Sequence, residues 1–236
     1  MNLIKEHWDK ADINEFQNYL KSFSNGKEKG EWEKRIVNTK LPCIAVPSKT
    51  IADIVKQIAK GNFLSFVDLW IWENFSNTTI IGSLICKIKD FKLMKQYLIN
   101  YLNRIDNWAS CDTLKFKINE ENKSLFFNLS QELIASKKTF LKRAGLIILF
   151  KFVDDNSFID KIFSALNSLT NETEYYVNMA GAWLLAECFT KQRNKTLEFL
   201  SNNQTNDFVI NKGIQKCRDS FRVSDADKEM LKKFKR

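Results

Sequence analysis

Asn107, Trp108 and Asp112 form the grouping in this sequence whose residue types and spacing best suit chemistry. If Asn107 caps a helix, Trp108 and Asp112 fall at i and i+4 and project from one face, setting an aromatic surface beside a carboxylate. Such a pair fits a hydrolysis that needs one carboxylate and a shaped electropositive groove. The plainer reading of Asp112 is a solvent-facing carboxylate in the first turn of a helix, favoured there by the helix dipole. Most other enzyme chemistries lack their residues. The single histidine is His7, close to the terminus, and no nucleophile–base pair, glycine-rich phosphate loop or metal cluster occurs.

Three more positions stand out, each with a structural alternative. Trp183 lies within Met179 to Leu185, an apolar run in which a buried core tryptophan is the default. Lys142 and Arg143 follow Lys137 and Lys138, so they belong either to a solvated basic face or to a phosphate-binding stripe ahead of an apolar helix. Trp70, Trp72 and Phe75 are spaced to stack on bases or to fill a core, and Tyr175 and Tyr176 share that ambiguity. The cysteines, Cys43, Cys86, Cys111, Cys188 and Cys217, are widely spaced with no CxxC or Cys/His pattern, so no zinc site is expected. They read as reduced, small apolar residues of a cytoplasmic protein.

The elements that must position these residues are helical. Only 7 Gly and 2 Pro occur in 236 residues, and Pro42 and Pro47 lie close together, so the punctuation of β-hairpins is missing. Apolar residues recur at i, i+3, i+4 and i+7. They predict helices over 13–23, 50–60 with Ser48 as N-cap and Gly61 as stop, 63–75, 78–89, 91–104, 108–117, 122–136, 140–152, 157–169, 174–191, 194–201, 207–221 and from Ser224 onward, with a basic segment over 31–40. Short connectors force neighbours antiparallel, and pairs of helices repeat every ~40 residues, the pattern of HEAT-type solenoids. The expected fold is all-α: one helical-repeat domain over 1–236, with divergent N-terminal helices over 1–49, HEAT-like repeats over 50–236 and a concave basic surface. No leader or membrane-spanning run is read, the longest apolar stretch being Ala144 to Phe150.

The 37 Lys and Arg against 28 Asp and Glu leave a net charge of +9, which attracts polyanions with salt-dependent affinity. Lysines kept only for solubility would give the same balance.

Three segments carry a resemblance. Residues 106–112 are similar to the Asp-Asn-Trp-Ala-x-Cys-Asp segment of a subgroup of AlkD-like DNA alkylation repair glycosylases. Residues 175–185 follow that subgroup's Tyr-Tyr-Val-x-Met-Ala-x-Ala-Trp-Leu-Leu run, and 207–224 follow its C-terminal pattern. Arg143 stands where the family keeps an arginine before an apolar helix. Together the matches span roughly the last 130 residues in a shared order. The N-terminal third departs: where relatives read Gly-Val-Arg-x-Pro, this chain has Cys43-Ile44-Ala45-Val46-Pro47, without the glycine and arginine.

The resemblance implies hydrolysis of the N-glycosidic bond of cationic N3- or N7-alkylated purines in double-stranded DNA, by a monomer without cofactor or metal. It implies Asp112 as the electrostatic and water-positioning carboxylate, Trp108 and Trp183 as aromatic walls, and Lys142 and Arg143 as DNA contacts. It also implies chemistry without full extrusion of the base into a pocket, in contrast with most glycosylases. The alternative expectation is a non-catalytic HEAT-like scaffold that binds nucleic acid or protein.

Overall fold

Fourteen α-helices, two short 3-10 turns and no strand account for the regular structure of the chain, for which the computed structural model describes all residues, 1–236. The all-helical order with short connectors fits a helical-repeat solenoid. The chain divides into two units, residues 1–117 and 118–236.

The first unit holds α1 (Asp12–Lys21), α2 (Lys27–Val37), α3 (Ser48–Ile58), α4 (Phe63–Asp68), α5 (Phe75–Ile85), α6 (Phe91–Leu102) and α7 (Trp108–Asp112). Its aromatic heart is Trp8, Phe16 and Phe66, packed edge to face at centroid distances of 4.9 to 6.0 Å. The Trp8 amide donates to Ser65 Oγ at 3.0 Å, which seats the N-terminal segment on α4. Gly61 serves the same contact. Its φ is ordinary, but a Cβ there would stand 2.3 Å from the Lys5 carbonyl oxygen, so the glycine admits a passing strand of chain instead of providing a left-handed helix stop. Ser48 is likewise the first helical residue, not the cap; Pro47 occupies that place with no side-chain bond.

Two predicted helices prove shorter. The run expected to reach Phe75 ends at Asp68, because Trp70 takes a left-handed φ of 44° and Asn74 extends to cap α5. Asn74 and Asn77 form a reciprocal capping box, each side chain accepting from the other's backbone amide at 3.1 Å. Gln17 completes it, donating to Asn77 and accepting from Asn74, so α1 is tied to the start of α5 through buried amides. The run expected over 108–117 ends at Asp112, and the chain turns so that Phe116 enters the core. In the other direction, α2 begins at Lys27, ahead of the basic segment over 31–40, where no helix was expected.

The second unit holds α8 (Lys123–Ile134), α9 (Thr139–Leu149), α10 (Ile159–Asn167), α11 (Tyr175–Lys191), α12 (Arg193–Ser201), α13 (Asp207–Asp219) and α14 (Asp225–Leu231). Alternate helices stack, α9 on α11 and α11 on α13, with α8 and α12 packed beside them. Asn206 caps α13 at the Val209 amide, 2.9 Å, and its own amide donates to the Leu169 carbonyl and to Asn178 on α11. No helix is long and apolar enough to cross a membrane.

The approach of α8 to α9 depends on Gly145, where a Cβ would lie 2.6 Å from the Ser130 carbonyl oxygen and 2.8 Å from the Ile134 side chain. Backbone cannot yield as a side-chain tip can. Gly145→Ala is therefore expected to lower stability by about 1–3 kcal/mol through overpacking, against the gain that alanine normally brings inside a helix. Urea denaturation checks this, and an unchanged or raised midpoint would refute it.

Candidate active site

The segment 106–112 is mostly scaffold. Asn107 is wholly buried (0% exposed) and caps α7 as expected, its side chain accepting from the Ser110 amide at 2.8 Å. Ser110 pairs with the Thr78 hydroxyl at 2.9 Å, and the buried Tyr101 hydroxyl lies 3.1 Å from both the Thr78 and Ser110 carbonyl oxygens, so α5, α6 and α7 meet at one polar knot. Ala109 packs with Val37 and Phe75, while Cys111 is fully buried.

Asp106 holds the other side of that knot. Its carboxylate accepts from the Lys40 amide and the Thr39 hydroxyl, each at 2.7 Å, and from the Asn107 side-chain amide at 3.0 Å. Burial works to raise its pKa, but the Lys40, Thr39 and Asn107 hydrogen bonds outweigh burial, leaving it below the ordinary aspartate range. Sequence reading passed over this residue; its place directly before a capping asparagine was the only signal.

Trp108 and Asp112 leave the knot on one face of α7. The Trp108 indole N–H donates to the Ile36 carbonyl at 3.2 Å, and the half-buried ring rests on the Val37, Phe75 and Ala109 cluster together with Cys43. The indole is thus fixed in orientation. Asp112 is half-buried at the C-terminal end of α7. The helix dipole does not favour a carboxylate there, so the first-turn explanation expected for it does not apply.

In the second unit, Trp183 departs from the core default. It is 42% exposed on α11 and meets Phe150 edge to face at 4.7 Å. Tyr175, 57% exposed at the start of the same helix, touches Tyr176 and Phe208. Met179, Glu187 and Thr190 on α11 are partly open as well and Lys191 is exposed, so Tyr175 and Trp183 belong to a mixed open stripe.

Lys142 and Arg143 are engaged inside this unit. Lys142 pairs with Glu172, whose carboxylate also accepts from the Thr173 and Glu174 amides, and burial of that carboxylate is outweighed by these partners to leave its pKa lowered. Arg143 is 5% exposed and donates to the Tyr176 carbonyl at 2.6 Å. The basic run is thus divided. Lys137 and Lys138 stand in solvent, whereas the next two cations bind α11 and its lead-in.

The remaining nucleophile candidates are not poised. The cysteines are free thiols, with Cys43, Cys86 and Cys217 each pushed up to about 12 chiefly by burial and Cys188 raised for the same reason. No group of His, Cys, Asp and Glu side chains is arranged to hold a metal ion.

A family model described as DNA alkylation repair enzyme matches residues 1–216. The chain belongs to that family. The match takes in all five residues singled out above, Trp108, Asp112, Lys142, Arg143 and Trp183, and reaches into α13. The family indicates DNA alkylation repair, with DNA as the material acted on. A comparison with curated proteins found no match.

Asp106 generates a prediction for acid stability. Its lowered folded pKa means that it stabilises the protein above the unfolded aspartate value, about 3.9, and that this contribution is lost as pH falls through the folded value. Asp106→Ala is expected to cost about 1–3 kcal/mol at neutral pH, from hydrogen bonds to a charged acceptor. The difference from wild type should shrink below about pH 4. Melting curves between pH 7 and pH 3 check both parts, and a pH-independent difference would count against the carboxylate.

Proposed function

We propose that this protein is a DNA glycosylase of the alkylation repair family, hydrolysing the N-glycosidic bond of cationic N3- or N7-alkylated purines in double-stranded DNA. The observation that carries the reading is the family match across α7, where Trp108, its indole held by the Ile36 carbonyl, stands four residues before the half-buried Asp112 at the helix end.

An alkylated purine already carries positive charge, so its glycosidic bond is labile and bond breaking concentrates cationic character on the sugar. Little acid catalysis is needed. The roles follow: the Asp112 carboxylate stabilises the developing cation and orients the attacking water, and the Trp108 face attracts it through cation–π contact. Trp183 offers the second unit's own aromatic contact to the duplex. Lys142 and Arg143 enter through the α9–α11 packing they hold.

A second reading, a non-catalytic scaffold that binds DNA, draws on the altered segment 43–47. Ala45, in place of the pattern's arginine, has a left-handed φ of 49° and its amide is held by Glu33 at 3.0 Å. That segment is built for packing here, and a DNA contact expected from the pattern is gone.

Release of 7-methylguanine from methylated duplex DNA separates the readings. Wild type is expected to release it, with Asp112→Asn lowering the rate about 100-fold or more and leaving the melting temperature in place. DNA binding without release would favour the scaffold. Trp183→Ala, a surface change, should weaken duplex binding while leaving the fold stable, and duplex affinity should fall steeply as salt rises. Salt-insensitive binding would undermine the phosphate-tracking part of the proposal.

A further inference from the structure

Asp106 and Trp108, one on each side of Asn107 in the chain, both grip the end of α2. That helix stops at Val37 because Asn38 takes a left-handed φ of 57°, its amide returning to the Lys34 carbonyl at 2.9 Å. The Ile36 carbonyl is among the last of α2, which amides inside the helix do not reach. Continued helical spacing would bring it the Lys40 amide, four residues on. That amide is taken elsewhere. It donates to Asp106 at 2.7 Å, while the Trp108 indole N–H donates to the Ile36 carbonyl at 3.2 Å.

The two bonds close a ring. Residues 36–40 form one side and residues 106–108 the other, joined at one end by Lys40 to Asp106 and at the other by Trp108 to Ile36. In so small a ring neither bond can turn or lengthen without moving the other. The Thr39 hydroxyl gives the carboxylate a second donor at 2.7 Å and the Asn107 amide a third at 3.0 Å. Thr39 is buried and Asp106 half-buried, which strengthens these bonds and makes their loss costly. Trp108 needs such help. It is the first residue of α7, and a helical side chain normally rests on the turn before its own, which is missing there. Its angle therefore depends on contacts outside the helix, of which the Ile36 carbonyl is the directional one.

We infer that Asp106 is a positioning residue for the reaction: by holding Thr39 and Lys40 it keeps the Ile36 carbonyl open and in place for the Trp108 indole, and so sets the angle of the aromatic face offered to the cationic substrate. The inference rests on the proposed role of Trp108. Asp106 acts through the end of α2, not on the substrate. Asparagine, close in shape, cannot complete the same ring. Its amide nitrogen must replace one carboxylate oxygen and face either the Lys40 N–H or the Asn107 amide, donor against donor.

The test is a double-mutant cycle on the full chain. Single-turnover release of 7-methylguanine from methylated duplex DNA is measured for wild type, Asp106→Asn, Trp108→Phe and the double variant, with duplex affinity read by anisotropy and folding by thermal melting. Asp106→Asn is expected to release base about tenfold more slowly at unchanged duplex affinity. The double variant should be no slower than Trp108→Phe alone, because phenylalanine has no N–H for the end of α2 to hold. Heteronuclear NMR gives a second readout. Of the six tryptophan indole signals, the one that Trp108→Phe removes should move in Asp106→Asn and exchange faster with solvent, the others staying in place. Thr39→Val keeps the carboxylate but removes one of its donors; it should show the same changes in smaller degree, and it replaces Asp106→Asn should that variant fail to fold. The inference is overturned if the folded variant keeps the wild-type rate, if its Trp108 signal stays in place, or if the two effects multiply in the double variant. No release by wild type overturns the glycosylase reading instead, and the indole signal alone then decides whether Asp106 holds Trp108.

Discussion

The buried cap at Asn107 sets everything that α7 can do. A helix of five residues has few internal hydrogen bonds and cannot be stable by itself. Its direction is imposed from outside, by the Asn107 side chain on the Ser110 amide, by Asp106 on the Thr39 hydroxyl and the Lys40 amide, and by Ser110 and Tyr101 on α5 and α6. Each of these groups is held at least twice. That redundancy lets so short an element hold the Trp108 indole in a fixed direction, which the electrostatic catalysis proposed for this site requires.

The second unit solves a different problem with the same means. Its helices are long enough to be specified by their apolar periodicity, and what remains is their spacing. Gly145 lets α8 and α9 approach to backbone distance, while Asn178 and Asn206 bind the start of α11 to the α10 end and the α13 cap. Lys142 and Arg143 add ionic and polar ties along the same seam. Lys142, paired with the Glu172 carboxylate, has less to offer a phosphate than an unpaired lysine, because the carboxylate offsets the field it would project; Arg143 keeps its full charge but is 5% exposed.

Most helices were legible from the sequence because their apolar residues repeat with helical period over ten residues or more. The boundaries at α6, α11 and α14 fall within two residues of the expected positions. What escaped was decided by contacts distant in sequence. No local pattern announces that Trp70 adopts a positive φ, that Phe116 turns inward, or that Gly61 faces Lys5. The site was legible in the same uneven way. The cap at Asn107 could be read from one residue type before a helix, whereas the roles of Asp106 and Arg143 depend on which helices meet. Trp183 reversed the usual expectation, since an apolar neighbourhood in sequence said core and the structure leaves it 42% exposed.

The chemistry left to such a chain is narrow, and on the proposed reading the narrowness is consistent. The cysteine thiols whose pKa is shifted are all raised, which removes thiolate attack at neutral pH, and the one histidine lies in the N-terminal segment outside the α7 face. A neutral purine would need a proton delivered to its leaving group, and no evident acid stands with Trp108 and Asp112 to deliver it. A cationic alkylpurine has acquired the equivalent of that proton through alkylation, so the demand on the protein falls to stabilising positive charge on the sugar and holding one water. A carboxylate next to a tryptophan face supplies both, the first by Coulombic attraction and the second by hydrogen bonding. Selectivity for damaged bases would then come from the substrate's own charge, because an undamaged purine meets the same residues without the activation that makes them sufficient.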